Sequence, residues 1–167
     1  SMQQPKPNWL EKKLIQPDEL EKFSASLREK GFTIATLNGS FDLLHAGHLY
    51  IISQAKQHAD RLIVALNSDD SIRKYKGSKR PIVPLAFRLE VIAALEFVDY
   101  LTWFEEIDPC LLLQKIRPNV HVNGAEYGSE CIEAPTVTSI GARLHIVDRI
   151  PSLATSEIIK KIVQCAV

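Results

Sequence analysis

The sequence predicts a doubly wound α/β domain built on a five-stranded, mostly parallel sheet. Three observations predict it. Short β-forming runs alternate with helical patterns along the chain, the order that gives a parallel sheet with helices on both faces. The run Leu62-Ile63-Val64-Ala65-Leu66 is apolar without interruption, as befits a strand covered on both sides. The 167 residues, 46% of them apolar, suit one such domain and leave little room for two.

Each element follows from its residues. Residues 1–16 are polar, carry Pro5 and Pro7, and read as an N-terminal arm in which Ser1-Met2 is a tag remnant; the domain proper is placed at 17–167. Pro17-Asp18-Glu19 opens a helix whose Leu20, Phe23 and Leu27 share a face, and Gly31 stops it. Phe32–Leu37 is the first strand, ended by Asn38-Gly39-Ser40. A helix runs from Ala46 or Gly47 to about His58, and Arg61–Asn67 is the second strand. Residues 68–83 are polar and basic around Gly77 and read as a mobile loop over a site. Pro84–Glu96 is helical, with Leu85, Leu89, Ile92 and Leu95 on one side. Val98–Phe104 is the third strand. Asp108-Pro109 opens a helix to Ile116. Val120–Val122 and Leu144–Val147 are the last strands, with little signal at 128–142. Thr155-Ser156-Glu157 starts a final helix expected to bury Ile158, Ile159, Ile162 and Val163. In such folds ligands sit at the carboxyl ends of the strands, which points to the loops 38–48, 67–83, 123–128 and 148–156.

Composition narrows the function. Twenty basic side chains balance twenty acidic ones, which argues against bulk nucleic-acid binding. No apolar stretch approaches the roughly 20 residues that span a bilayer, and the N-terminus has no signal-peptide pattern. Cys110, Cys131 and Cys165 are far apart and odd in number. They predict neither a disulfide scaffold nor a zinc site, but thiols in a reducing, cytoplasmic setting.

One loop carries chemistry. His45 and His48 lie three apart where a strand is followed by a helix, a spacing that puts both rings on one helical face. Helix N-termini offer free N–H groups and a partial positive charge. Two imidazoles added there make a phosphate site. Gly47 lets a ligand approach the backbone, and Gly39 brings the strand end close to a nucleotide. Read alone, the same residues also suit a loop cap and a surface histidine. The preceding Gly39-Ser40-Phe41-Asp42 and the predicted strand–helix context favour the phosphate site.

The run Gly39-Ser40-Phe41-Asp42-Leu43-Leu44-His45-Ala46-Gly47-His48 resembles the signature of the cytidylyltransferase-like nucleotidyltransferases. More narrowly, the chain is similar to the branch of adenylyltransferases that forms ADP-heptose from heptose 1-phosphate. The resemblance spans nearly all of residues 13–164. It includes Val64-Ala65-Leu66-Asn67-Ser68-Asp69, Lys76-Gly77-Ser78-Lys79-Arg80-Pro81, Arg88, Ala94-Leu95-Glu96-Phe97-Val98-Asp99 and Asn123-Gly124-Ala125-Glu126-Tyr127. It implies a single Rossmann-like domain of the His-x-Gly-His type, a homodimer, and transfer of AMP from ATP to a sugar 1-phosphate with release of pyrophosphate. The acceptor phosphate is already ionised at neutral pH, its second pKa being about 6, so the enzyme must align anions and neutralise the leaving group.

That resemblance assigns roles. His45, His48 and Lys76 are expected to serve the reacting phosphates. Gly39, Ser40, Phe41, Gly47, Asn123, Gly124, Arg149, Thr155 and Ser156 are expected around the nucleotide. Asp42, Lys74, Lys79, Arg80 and Arg88 are expected around the phosphorylated acceptor, with the two arginines as bidentate clamps. Mg²⁺ is expected on the triphosphate oxygens, with no dedicated metal cluster. Neither nucleic acid nor membrane is expected as a partner.

The sequence departs from the branch at three places. Asn123-Gly124-Ala125-Glu126-Tyr127 stands where Lys-Gly-Gly/Ala-Asp-Tyr is usual, Ala154-Thr155-Ser156 where Ser-Thr-Thr is usual, and Ser40 where Cys or Thr is frequent. The alternative is a CTP-dependent cytidylyltransferase acting on glycerol 3-phosphate or a similar small phosphate. Arg149 favours that reading, and Glu96 in place of an arginine before Phe97-Val98-Asp99 opposes it. A class I aminoacyl-tRNA synthetase fragment and a non-catalytic nucleotide-binding scaffold are the remaining classes. The chain is too short for the first, and both histidines are retained against the second.

Overall fold

The computed structural model describes residues 5–148 and 154–166. Its centre is one sheet of five parallel strands, in the order β3-β2-β1-β4-β5. These are β1 (Ile34–Gly39), β2 (Arg61–Asn67), β3 (Tyr100–Phe104), β4 (Val120–Gly124) and β5 (Arg143–Val147). The helices are α1 (Asn8–Glu11), α2 (Leu20–Glu29), α3 (Ala46–Lys56), α4 (Asp69–Lys76), α5 (Leu85–Ala93), α6 (Cys110–Ile116), α7 (Ala134–Ser139) and α8 (Thr155–Cys165). A single 3-10 turn, Pro17–Glu19, precedes α2.

Strand alternation divides the core into two. Ala35 and Leu37 of β1, Leu62, Val64 and Leu66 of β2, and Val120 and Val122 of β4 pack beneath α3 and α5, against Ile52, Leu89 and Ile92. Ile34, Ile63, Ala65 and Phe104 face the other way, against Leu20 and Leu27 of α2 and Leu112 and Ile116 of α6. Both faces are therefore apolar, which is why β2 reads as an unbroken run. β1 pairs with β2 on one side and β4 on the other; Leu37 lies opposite Val64 and Val122. The strand order reverses there, and the crevice at the carboxyl ends of β1 and β4 is where this architecture binds ligands.

Four expectations change. Residues 8–16, read as part of an arm, are docked on the domain. Leu10 is buried, the Trp9 indole donates to Glu90 O at 3.1 Å, and Leu14 pairs with Leu101. The reason is the edge strand β3, whose free backbone groups need cover. Ile15 N donates to Leu101 O, and Leu101 N donates to Lys13 O.

The stretch 68–83 is helical in its first half: α4 is capped by Ser68, whose hydroxyl accepts from Ser71 N at 3.1 Å. A further helix, α7, stands in the region that carried little signal. In α8, Ile162 and Val163 are 58% and 68% exposed, and Ile158 and Ile159 only half-buried. The helix lies at the margin of the domain, where its apolar face meets little protein.

Candidate active site

α3 begins at the crevice, and its start is built from the two histidines. His45 is the N-cap, its backbone extended; its Nδ1 accepts from Gly47 N at 3.1 Å. His48 reaches back, and its Nδ1 accepts from His45 N at 3.3 Å. Each ring thus satisfies a helix-end amide, and they stack with centroids 3.8 Å apart. Because both Nδ1 atoms are acceptors, the neutral rings carry their protons on Nε2. Burial pushes the His48 pKa down to about 4, helped by the neighbouring charges of His45 and Lys76. Burial also lowers His45. At neutral pH the pair is uncharged, and each ring has an Nε2–H to donate.

The loop ahead of α3 supports these rings. Phe41 is buried with φ 47°, in the left-handed region, and sets its ring edge-on to His48 with centroids 5.2 Å apart. A Cβ on Gly39 would lie 3.0 Å from Cε2 of Phe41, so a larger residue there would press the ring aside.

A cavity of about 600 Å³ opens in front of the pair. Of the residues the sequence singled out, His45, Gly47, His48, Lys76, Arg80, Gly124, Thr155 and Ser156 line it. The sheet order distributes their charge. Lys76 and Arg80 follow β2 on one side, the imidazoles follow β1 in the middle, and Gly124 at the end of β4 with Thr155 and Ser156 after β5 lie on the other. Lys76 Nζ donates to Ser40 Oγ at 3.3 Å. Burial and the Arg80 charge lower its pKa, so an anion between these cations is favoured.

Other candidates lie elsewhere. Arg88 was expected to clamp an acceptor phosphate, but its side chain is fully buried. Its Nε donates to Val83 O, its Nη1 to Ser40 O and Asn67 O, each at 2.8 Å, and its Nη2 to Asp69 at 2.7 Å. Asp42, expected at the acceptor, accepts instead from Ile82 N and Val83 N. In each case buried backbone groups of turns need partners, and these two side chains supply them.

The Asn123 amide donates to the buried Glu133 carboxylate at 2.7 Å, and neither residue is part of the cavity lining. Lys74 and Lys79 are exposed and outside the cavity lining. Arg149 lies outside the described residues. Glu126 and Asp148 line the cavity and Glu133 braces β4; none was singled out as a site residue. Glu126 stands in the quoted run Asn123-Gly124-Ala125-Glu126-Tyr127, whereas only a position after a strand end could have signalled Asp148. Among the described residues no group of three His, Cys, Asp or Glu is placed to hold a metal ion, and no helix is long and apolar enough to cross a membrane.

Comparison with known proteins decides the family. The cytidylyltransferase-like family model matches residues 36–162. The chain belongs to the cytidylyltransferase-like family. That membership makes it an enzyme of the nucleotidyltransferase class. The chain is 39% identical over 153 residues to the bifunctional protein HldE of Nitrobacter hamburgensis, a match covering 90% of this chain and 31% of that protein. It is 41% identical over 136 residues to the bifunctional protein HldE of Acidiphilium cryptum, covering 81% and 28%. The chain thus spans about a third of the length of these relatives. Among solved structures, the lipopolysaccharide core biosynthesis protein from Thermoplasma volcanium superposes with a TM-score of 0.60 at 27% identity, over 74% of this chain and all of that one. A pantoate-beta-alanine ligase from Francisella tularensis shares the fold, with a TM-score of 0.61 at 19% identity over 91% of this chain and 78% of that one.

Proposed function

We propose that this nucleotidyltransferase moves AMP from ATP to a sugar 1-phosphate, heptose 1-phosphate in the first instance, giving an ADP-sugar and pyrophosphate. An oxygen of the acceptor phosphate attacks the α-phosphorus of ATP. The bond from that phosphorus to the α,β-bridging oxygen breaks, and its electron pair leaves with pyrophosphate. No protein base is required, because the nucleophile is already anionic.

The observation that carries this reading is the pair of imidazoles at the start of α3, each with Nδ1 occupied by an amide and Nε2–H free. Fixed neutral donors suit the charge that grows on the departing pyrophosphate. Lys76 and Arg80 on the β2 side supply the positive charge that aligns a second anion. The opposite side, at Gly124, Thr155 and Ser156, takes the nucleotide. The resemblance of the sequence to the ADP-heptose-forming branch, together with the likeness to a lipopolysaccharide core biosynthesis protein, supports a sugar phosphate as acceptor.

Mg²⁺ fits this donor set as a companion of the nucleotide. The cavity's carboxylates, Glu126 and Asp148, are the hard oxygen donors that would approach it. Bound there, it would neutralise phosphate charge. The two imidazoles and Lys76 would still orient the phosphates.

The test is pyrophosphate release with ATP and CTP, each crossed with heptose 1-phosphate and glycerol 3-phosphate. ATP with the heptose phosphate is expected to turn over fastest. Fastest turnover of CTP with glycerol 3-phosphate replaces this reading with the cytidylyl alternative, and nucleotide binding without any release refutes catalysis.

A further inference from the structure

We infer that Asp69 and Arg88 form a positioning pair for Lys76, holding α4 so that the lysine at its far end meets the phosphates. The inference rests on the nucleotidyltransfer reading and adds to it residues that touch no substrate.

Asp69 is the first residue of α4 and Lys76 the last. Two turns of helix separate them, about 10 Å at 1.5 Å per residue. The start of the helix is pinned. One Asp69 oxygen accepts from Arg88 Nη2 at 2.7 Å and from Leu85 N at 3.0 Å. The same guanidinium holds the carbonyls of Ser40, Asn67 and Val83. It therefore joins four segments: the turn after β1, the end of β2, the start of α4 and the entry to α5. Its side chain is fully buried, while the Asp69 carboxylate is 33% exposed, so the guanidinium itself is held by protein groups. At the other end of α4, Lys76 Nζ reaches the hydroxyl of Ser40. Ser40 is thus held by Arg88 through its carbonyl and meets Lys76 through its side chain. The lysine's place relative to His48 depends on both ends of this frame. A flexible side chain on an unanchored eight-residue helix would sample many positions, since short helices are marginal on their own.

The experiment is a double-mutant cycle read by calorimetric binding of ATP and of inorganic pyrophosphate, alongside kcat. The variants are Asp69→Asn, Asp69→Ala, Lys76→Ala and the doubles. Asp69→Asn keeps an oxygen acceptor for Leu85 N and Arg88, so its fold is secure and melting curves check the alanine variant. Lys76→Ala is expected to weaken pyrophosphate binding about tenfold or more. Asp69→Ala is expected to approach that loss, and Asp69→Asn to fall between. In the Lys76→Ala background neither Asp69 change should weaken binding further, because the lysine they position is gone. Additive losses, or full pyrophosphate affinity in a folded Asp69→Ala variant, overturn the positioning role and leave nucleotidyltransfer standing. Wild-type protein that binds neither ATP nor pyrophosphate overturns both.

Discussion

His48 is the side chain whose removal separates chemistry from folding most cleanly. Its Nδ1 accepts from His45 N, and its ring lies between the stacked His45 and the edge of Phe41. His48→Ala removes one helix-end hydrogen bond, worth about 1 kcal/mol, and aromatic packing worth about 1–2 kcal/mol more. A total of about 2–3 kcal/mol lowers Tm by roughly 5–10 °C for a domain of this size, and a typical stability of 5–15 kcal/mol survives it. The loss of a fixed donor to the departing pyrophosphate is larger, about 10²-fold or more in kcat. His48→Asn divides the two effects. Its side-chain oxygen replaces Nδ1 as acceptor for His45 N and should recover part of the Tm, while turnover stays low because the shorter amide N–H does not reach where Nε2–H stood. The assay is pyrophosphate release at saturating ATP and acceptor, with a melting curve for each protein. A His48→Ala enzyme with kcat within threefold of wild type, or a His48→Asn enzyme that recovers turnover together with Tm, refutes the donor role.

Three further predictions come from the surroundings. Arg88→Met should destabilise the protein by about 3–5 kcal/mol in urea unfolding, because Asp69 and three carbonyls lose their shared donor; a loss below 1 kcal/mol would contradict the frame described above. Gly39→Ala should displace Phe41, whose ring lies 3.0 Å from the new methyl group. ATP binding should weaken severalfold, as calorimetry would show, with a Tm loss of a few degrees. His121 is fully buried beside Thr36, and burial lowers its pKa from 6.5 to about 4. The unfolded ring takes up a proton below pH 6.5 while the native ring stays neutral, so stability is full above 6.5 and falls with added acid. His121 contributes about 2 kcal/mol of loss by pH 5, His48 with its pKa also near 4 a similar share, and urea unfolding from pH 7 to 5 should show His121→Gln removing only its own share of the slope.

The fold was legible where local pattern and tertiary demand agree. Arg61–Asn67 reads as a strand to the residue, because a strand covered on both faces is apolar throughout. α4 was hidden because Asp69–Lys76 buries only Ser71 and Ile72; its cap and its ties to β2 hold it, and neither shows as periodicity. α7 was hidden by Pro135 and two threonines in six residues. At the candidate site, His45, His48, Gly47, Lys76 and Arg80 line the cavity as the sequence suggested, because local spacing or free charge marks them. Arg88 and Asp42 misled for the same reason. A charged residue near a phosphate loop looks available until its long-range backbone partners at Ser40, Val83 and Ile82 are known. Glu133 gave no signal, since only the fold brings it to Asn123.

The imidazole pair also bears on how the enzyme responds to pH. A histidine at a phosphate site is commonly pictured as an imidazolium, but burial and two neighbouring basic groups oppose that charge on His48. Bound polyphosphate pushes the other way, favouring the charged ring. The hydrogen bonds favour the neutral form, because a protonated Nδ1 cannot accept the amide N–H that each ring now takes. With Nδ1 accepting an amide N–H in both rings, the neutral form already carries its proton on Nε2, facing the task of donation. Turnover should therefore not decline as pH rises from 6.5 to 8. The group that should matter is the acceptor phosphate, whose second ionisation near pH 6 makes kcat/KM rise through that range and then level off. A phosphonate acceptor, with its higher second pKa, should move the rise upward while leaving the plateau in place. Activity that falls between pH 6.5 and 8, with a midpoint moved by His45→Asn, would show instead that a charged imidazolium is required, and the neutral-donor account would have to be given up.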